Sequence, residues 1–404
     1  MKRLLAKFGP GFLFAGAAIG VSHLVQSTRA GADYGLGLIW ALLLIHAIKY
    51  PFFQFGPRFA SATGKNLLEG YAKLGKGVLI AYFAITFATM FTIQTAVTIV
   101  TAGIASSLFE SDSLVLWTTI VTALCFFILL LGRYKFLDSL MKYIVLVLTV
   151  STIGAVILAL RASDGSLNVS QEFPAEATGI AFLIAFMGWM PAPLDITIWQ
   201  SIWTVEKQKL NPSLTRKQYF FDFNVGYVST ILLGIAFIVL GALVMFGSGD
   251  SFSGNGTQFA NQLIAMYTNS LGGWSKIIIG IAALTAMFST TLTTLDASPR
   301  VMHQTSELIF QKKFSNGYLF WLIFLVMGTL SIFFFFISEM GVLIQIATVL
   351  SFLTAPFYAL ISYLLLTGKH TPKEAQPSKL LKIYSLIAML LLVGFSFWYL
   401  DSLW

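Results

Sequence analysis

The chain of 404 residues is 57% hydrophobic and only 10% charged, and its mean hydropathy is +0.82. Soluble domains carry about 25% charged residues, so this composition excludes a soluble protein and predicts an integral membrane protein. The net charge of +8 does not indicate a nucleic-acid partner, because the basic residues are scattered through short connections between apolar segments.

Eleven segments are long enough and apolar enough to cross about 30 Å of hydrocarbon as helices. In chain order these predicted spans are 9–31, 34–60, 78–108, 114–132, 137–160, 177–203, 219–247, 273–298, 317–338, 341–367 and 380–400. The connections between them are too short to fold alone. We therefore predict a single transmembrane domain over residues 1–404, with its function inside the helices.

The basic residues divide unevenly between the two sides of the membrane. An odd number of spans places the termini on opposite sides, and 21 of the 25 Lys and Arg fall on the side of the N-terminus. The opposite side has only Arg29, Arg161 and Lys276, and Lys49 lies inside a span. Because positive residues are retained inside, we predict a multi-pass plasma-membrane protein with a cytoplasmic N-terminus and an external C-terminus.

Two of the predicted spans are interrupted near their middle. The first has small residues around Gly20 followed by Ser22, and the sixth contains Pro191 and Pro193. Proline removes a backbone donor and clashes one turn back, so the sixth span should unwind there. Breaks in the first and sixth spans are typical of a 5+5 inverted repeat, in which the cargo binds where the breaks meet.

This pattern defines the predicted architecture. The fold class is an all-α polytopic membrane protein with the first repeat over about 9–160 and the second over about 177–367. An extra helix follows over about 380–400. A bundle containing helices one and six would rock against the remaining helices.

The side chains at the breaks offer ligands of mixed type. Placing a charged side chain at the bilayer centre costs about 2.5–3.5 kcal/mol, so an ionisable residue there is expected to have a structural or functional role. Asp195 could bind a cation or be a neutral structural carboxyl group, and His23 could bind a metal or serve as a hydrogen-bonded packing residue. With Met190, they would form an O, N and S site suited to a divalent transition metal such as Mn, Fe or Co.

Further contacts to the cargo are predicted from the backbone and from one hydroxyl. The carbonyl groups near Gly20 and Met187 and the hydroxyl of Ser22 would complete the substrate-binding set. An organic amine held by Asp195 and nearby tryptophans is the alternative that these residues leave open.

Four more ionisable residues are predicted to form a gate or a proton pathway. His46 and Lys49 share a face of the second span, although snorkelling towards the membrane surface is the simpler interpretation for Lys49. Asp296 and Arg300 lie one turn apart, so a local ion pair is the simplest interpretation and a gate is the alternative.

Several motifs resemble the Nramp (natural resistance-associated macrophage protein) family of divalent-metal transporters in order and spacing. They are Gly9-Pro10-Gly11-Phe12-Leu13, Ala30-Gly31-Ala32-Asp33-Tyr34-Gly35, Leu38-Ile39-Trp40, Ala62-Thr63-Gly64-Lys65-Asn66-Leu67-Leu68-Glu69, Met190-Pro191, Ser289-Thr290-Thr291-Leu292-Thr293 and Val301-Met302. The resemblance is strong over about 9–70 and patchy from there to 302. It implies the LeuT-type fold with eleven helices.

The chain departs from the family where the metal should bind. The family's first-helix Asp-Pro-Gly-Asn corresponds to Gly20-Val21-Ser22-His23, and its Met-Pro-His corresponds to Met190-Pro191-Ala192. The family also has acidic residues in the third helix, whereas this chain has no Asp or Glu between Glu69 and Glu110. These departures predict weaker metal binding and movement that is not coupled to protons in the family's way.

The predicted function is transport of a divalent metal cation by alternating access, as a secondary active transporter or a facilitator. The alternatives are a transporter of a small organic solute, such as an amine or amino acid, and a sensor that does not transport. No enzymatic activity, cofactor, nucleic acid or obligate protein partner is expected, and the surrounding lipid bilayer is the only other partner. A Gly-rich Lys-Ser/Thr loop for ATP is absent from the sequence.

Overall fold

The computed structural model describes residues 9–111, 113–131, 146, 149–161, 170–247, 252–253, 255–273, 275–336 and 340–402. Most of these residues are helical. The first eight helices are α1 Pro10–Ala18, α2 Thr28–Tyr34, α3 Ile39–Thr63, α4 Leu67–Leu74, α5 Lys76–Leu108, α6 Leu114–Leu130, α7 Thr149–Arg161 and α8 Ala177–Trp189. The others are α9 Ile196–Leu210, α10 Arg216–Val244, α11 Gly256–Leu271, α12 Ser275–Phe310, α13 Gly317–Ser331, α14 Met340–Thr367 and α15 Lys379–Asp401.

Both predicted interruptions are present. The first span divides into α1 and α2, with a π-helical segment over Ser22–Ser27 leading into α2. The sixth span divides into α8 and α9, and residues 190–195 between them are not helical. The two prolines in this segment have no backbone N–H to continue the ladder of α8, which explains why the helix ends before them.

The predicted count of eleven spans is only partly tested by helix length. Among the described residues, seven helices are long and apolar enough to cross a membrane: α3, α5, α10, α12, α13 with its π-helical extension, α14 and α15. The divided spans and the shorter α6 and α7 fall below that length, so the number eleven stays a prediction. Residues 132–145, where the fifth predicted span begins, lie outside the described residues.

Two details of the helices differ from the prediction. Helix α12 continues past the predicted end at 298, through Pro299, to Phe310. Short helices α4 and α11 also form in segments predicted as connections. In α4, Asn66 and Glu69 form a reciprocal capping box, and this local pairing explains why so short a helix is stable.

The helices form two groups that meet around the breaks. Helix α10 packs along α1, α2 and α3, and α9 packs on α3. In the second group, α5 packs against α12, α6, α13 and α14. Helix α8 contacts both groups, through α3 and α14. This arrangement places the two interruptions between the groups.

Glycines bring the first span into close contact with α10. A Cβ atom on Gly11 would lie 2.1 Å from the carbonyl oxygen of Asp222, and one on Gly31 would lie 2.0 Å from that of Ile238. The Asp222 carboxylate also accepts hydrogen bonds from the backbone N–H groups of Gly9, at 3.2 Å, and Gly11, at 2.8 Å. An anion at this position satisfies free donors at the start of α1.

Candidate functional site

A small cavity lies where the two interruptions face α5 and α12. Its polar lining comes from Ser22, Asp195, Thr290 and Thr294, and Trp189 and Trp199 also line it. Its volume is about 30 Å³. A cavity needs about 10–15 Å³ to hold one water. In this conformation the cavity therefore accepts a few waters or one partly dehydrated ion.

Asp195 supplies the carboxylate of this cavity. It lies immediately before α9, where the helix dipole favours a negative group, and the residue is only 7% exposed. Its Oδ1 atom is buried and has no hydrogen-bond partner among the described residues. A buried carboxylate oxygen without a partner is costly, so this atom is available to a bound cation.

Lys49 reaches the same interruption from α3. Its side chain is fully buried, and Nζ donates hydrogen bonds to the carbonyl groups of Met187 at 2.9 Å, Gly188 at 2.6 Å and Ala192 at 3.2 Å. The snorkelling interpretation is therefore wrong. The carbonyl groups freed at the end of α8 accept the hydrogen bonds of the Lys49 side chain, which is why it stays buried.

His23 points away from the cavity and towards α10. Its Nδ1 atom lies 2.8 Å from Ser22 Oγ and 3.1 Å from the Ala18 carbonyl oxygen, and Nε2 lies 3.0 Å from the Thr230 carbonyl oxygen. The Gly20 carbonyl oxygen accepts hydrogen bonds from the backbone N–H groups of His23, at 3.1 Å, and Leu24, at 2.9 Å. The His23 side chain and the Gly20 carbonyl group are thus both hydrogen-bonded within the protein in this conformation.

The predicted ligands are only partly brought together. Ser22 and Asp195 line the cavity, whereas Gly20, His23, Met187 and Met190 lie outside its lining. The sulfur of Met190 lies 3.9 Å from Ser27 Oγ, its hydrogen-bond donor. Within the described ranges, no three His, Cys, Asp or Glu residues cluster in a way that could hold a metal ion.

The predicted gate residues fall in two separate places. His46 is 1% exposed; its Nδ1 lies 2.7 Å from the Leu42 carbonyl and its Nε2 3.4 Å from Thr230 Oγ1. His46 and His23 therefore both contact Thr230, His46 through its hydroxyl group and His23 through its backbone carbonyl group. Far along α12, Arg300 donates to Asp296 at 2.7 Å, and the hydroxyl of Tyr318 donates to the same carboxylate at 2.7 Å.

The expected ion pair on α12 is thus present, and it borders a larger cavity. That cavity has a volume of about 660 Å³ and is lined by residues of α4, α9, α12 and α13, including Arg300 and Tyr318. The guanidinium of Arg300 also lies over the Tyr318 ring, 5.1 Å from its centroid.

Sequence reasoning missed part of the cavity wall. Thr294 Oγ1 donates to Gln94 Oε1 at 2.6 Å, and Gln94 Nε2 donates to the Thr291 carbonyl at 3.3 Å. This pairing joins α5 to α12 beside the cavity. A signal was available, because Thr290 and Thr291 belong to a hydroxyl-rich motif within an otherwise apolar span.

Comparison with known proteins identifies the family. Residues 11–401 match the family described as natural resistance-associated macrophage protein-like, Nramp. The chain belongs to the Nramp family. It is 36% identical over 401 residues to an uncharacterized protein of Pasteurella multocida (strain Pm70), a match that covers 97% of this chain and 91% of that protein.

Solved structures share the fold at low sequence identity. The manganese transporter of Eremococcus coleocola, in complex with an aromatic bis-isothiourea substituted compound, has a TM-score of 0.75 at 14% identity, covering 98% of this chain and 86% of that one. MhsT in complex with L-phenylalanine has a TM-score of 0.68 at 16% identity, covering 96% and 98%. The LeuT-type fold is thereby confirmed. Nramp membership confirms a multi-pass membrane transporter and not an enzyme.

Proposed function

We propose that this Nramp protein moves a divalent metal cation across the membrane by alternating access around the Asp195 cavity. The observation that carries the proposal is Asp195, which lines the cavity between two interrupted helices and whose buried Oδ1 atom has no hydrogen-bond partner among the described residues. Family membership and the fold shared with a manganese transporter support the same cargo.

The cavity offers oxygen ligands. Besides Asp195, the hydroxyl-bearing residues Ser22, Thr290 and Thr294 line it. Oxygen ligands with retained water suit Mg²⁺ and Mn²⁺ better than softer metals. With the nitrogen of His23 and the sulfur of Met190 outside the lining, Mn²⁺ is the preferred ion among Mn, Fe and Co. A single carboxylate sets a modest affinity, which suits a cargo that must be released.

Transport requires the cavity to open to one side at a time. The helices that contribute Ser22 and Asp195 belong to the group packed around α10, whereas Thr290 and Thr294 lie on α12 of the second group. A relative movement of the two groups would open the space between them. We place the protein in the plasma membrane with its N-terminus in the cytoplasm and its C-terminus outside, because of the uneven distribution of Lys and Arg.

Calorimetric titration of the purified protein tests this function. Mn²⁺, Co²⁺, Cd²⁺, Zn²⁺ and Mg²⁺ are each titrated into the wild-type protein, Asp195→Asn and Asp33→Asn. Asp33 is an exposed carboxylate on α2 and serves as the matched control. We expect saturable Mn²⁺ binding by the wild type and the control, and binding weaker by roughly tenfold to a hundredfold in Asp195→Asn. Mn²⁺ flux into liposomes is measured next. Absence of binding by every metal, or equal binding by Asp195→Asn, would contradict the proposal.

A small organic amine is the second candidate cargo. Trp189 and Trp199 line the cavity beside Asp195, and aromatic faces with a carboxylate are suited to bind an ammonium group. The expected signature is transport that responds to Trp199→Ala and is insensitive to metal chelators. Saturable binding without flux into vesicles would instead identify a sensor.

A further inference from the structure

The end of α8 presents a cluster of carbonyl groups that resembles an ion site. A helix leaves its last carbonyl groups without intrahelical partners, and the interruption after Trp189 exposes them inside the protein. The carbonyl oxygens of Met187, Gly188 and Ala192 converge on one point, which Lys49 Nζ occupies at 2.6–3.2 Å. Converging backbone carbonyls are the means by which channels coordinate monovalent cations.

The geometry around Nζ is that of an ammonium group. An ammonium has three N–H donors and no acceptor, and the three hydrogen-bond partners of Lys49 Nζ are all carbonyl acceptors. A neutral amine has two donors and would leave one of these contacts without a proton. The positive charge lies against the negative end of the α8 dipole, which stabilises it.

The Lys49 site lies close in sequence to the carboxylate of the interruption. Asp195 follows Ala192 by three residues, and the Ala192 carbonyl group accepts a hydrogen bond from Lys49 Nζ. A buried carboxylate is costly without a nearby positive group. An ammonium at Lys49 therefore places a positive charge on the α8 side of the interruption, with a carboxylate at the start of α9.

We propose that Lys49 is a tethered cation: its ammonium fills a monovalent-cation site formed by the carbonyl groups of Met187, Gly188 and Ala192. The chain thus supplies from its own second span the charge that a free ion would otherwise have to supply. The stability of the wild-type protein then does not depend on which monovalent cation is in solution. A chain without the Lys49 ammonium needs a cation from solution to fill the site. This inference is independent of which cargo binds at Asp195.

Rescue of Lys49→Ala by small cations tests the proposal. The variant opens the space of the lysine side chain, and its thermal unfolding is followed at equal ionic strength in N-methylglucamine, Na⁺, K⁺, ammonium and methylammonium chloride. We expect Lys49→Ala to unfold below the wild type in N-methylglucamine and to gain about 2–4 °C, saturably, in methylammonium or K⁺. The wild type and Lys73→Ala, an exposed lysine on α4, should not respond differently to these salts.

A second variant separates charge from hydrogen bonding. Lys49→Gln keeps two N–H donors and most of the side-chain volume but has no charge, so we expect it to be less stable than the wild type and not to be rescued. Stability of Lys49→Gln equal to the wild type would mean that the carbonyl groups need only donors, and would overturn the proposal. Failure of every cation to rescue Lys49→Ala, including failure to recover folded protein in methylammonium, would overturn it as well. Because unfolding is the readout, a failure of metal binding leaves this result unaffected.

Discussion

The two interrupted spans satisfy their freed polar groups in different ways. In the first, only residues 19–21 separate α1 from the π-helical segment, and His23 fills the gap by contacting Ala18 on one side and Thr230 on the other. In the second, six residues separate α8 from α9. That longer interruption needs the ammonium of Lys49 from another helix, and it still leaves one oxygen of Asp195 without a partner among the described residues.

The difference indicates which interrupted helix has polar groups available to bind cargo. A short interruption can be closed by a neighbouring side chain, so its polar groups hold the structure together. A longer one leaves groups that the surrounding helices cannot all satisfy, and these groups are available to cargo. The first interruption is accordingly expected to contribute mainly to stability, whereas the second contributes to stability and also binds cargo through Asp195.

The largest expected effect is on the stability of the first interruption. His23→Ala removes both bridging contacts and leaves a cavity, so we expect it to lower the free energy of unfolding by about 2–4 kcal/mol. Thermal or chemical unfolding in detergent measures this loss, with His370→Ala in the connection between α14 and α15 as the control. If His23→Ala were as stable as the control but bound no Mn²⁺, the roles assigned to the two interruptions would be reversed.

The next effect is on binding at the second interruption. Asp195→Asn removes the negative charge of the cavity while keeping its shape, and we expect Mn²⁺ affinity to fall by roughly tenfold to a hundredfold, the usual size of a lost charged contact. The ratio of dissociation constants from the titrations measures it. A loss of affinity accompanied by general unfolding in the same sample would remove the distinction between the interruptions.

Two glycines extend the comparison to backbone contacts. A Cβ atom on Gly188 would lie 2.2 Å from the Thr348 carbonyl oxygen, which belongs to the backbone, whereas one on Gly20 would lie 2.7 Å from Oγ1 and 2.8 Å from Cγ2 of the Thr290 side chain. We therefore expect Gly188→Ala to cost about 1–3 kcal/mol of stability and Gly20→Ala to cost less. Unfolding of both variants is compared with Gly77→Ala, where the added Cβ meets no atom within 4 Å. A larger cost at Gly20 would argue against this ranking.

The smallest expected effect distinguishes the two tryptophans of the cavity. Trp189 Nε1 donates to Ser351 Oγ on α14 at 2.8 Å, whereas Trp199 Nε1 is buried with no partner among the described residues. Trp189→Phe should lower the free energy of unfolding by about 1 kcal/mol more than Trp199→Phe, because only the first loses a hydrogen bond. Parallel unfolding curves of the two variants measure the difference, and equal losses would contradict it.

The positions of the interruptions were predictable, but the directions of several side chains were not. Prolines and glycines act on their own backbone, so local sequence was enough to place the non-helical residues of the sixth span. The orientation of His23 depends on the rotation of the first span against α10, and the partners of Lys49 come from a segment 138 or more residues away. The continuation of α12 through Pro299 likewise depends on packing with neighbouring helices.

The close contact between the first span and α10 has a mechanical consequence. Helix α10 is continuous over 29 residues, roughly 43 Å at 1.5 Å per residue. It meets α1 at Gly11 and α2 at Gly31, on either side of the interruption. Because α10 is unbroken and contacts both α1 and α2, it couples the movements of these two halves of the first span. We expect a tilt of α10 to displace α1 and α2 together instead of bending the span at Gly20.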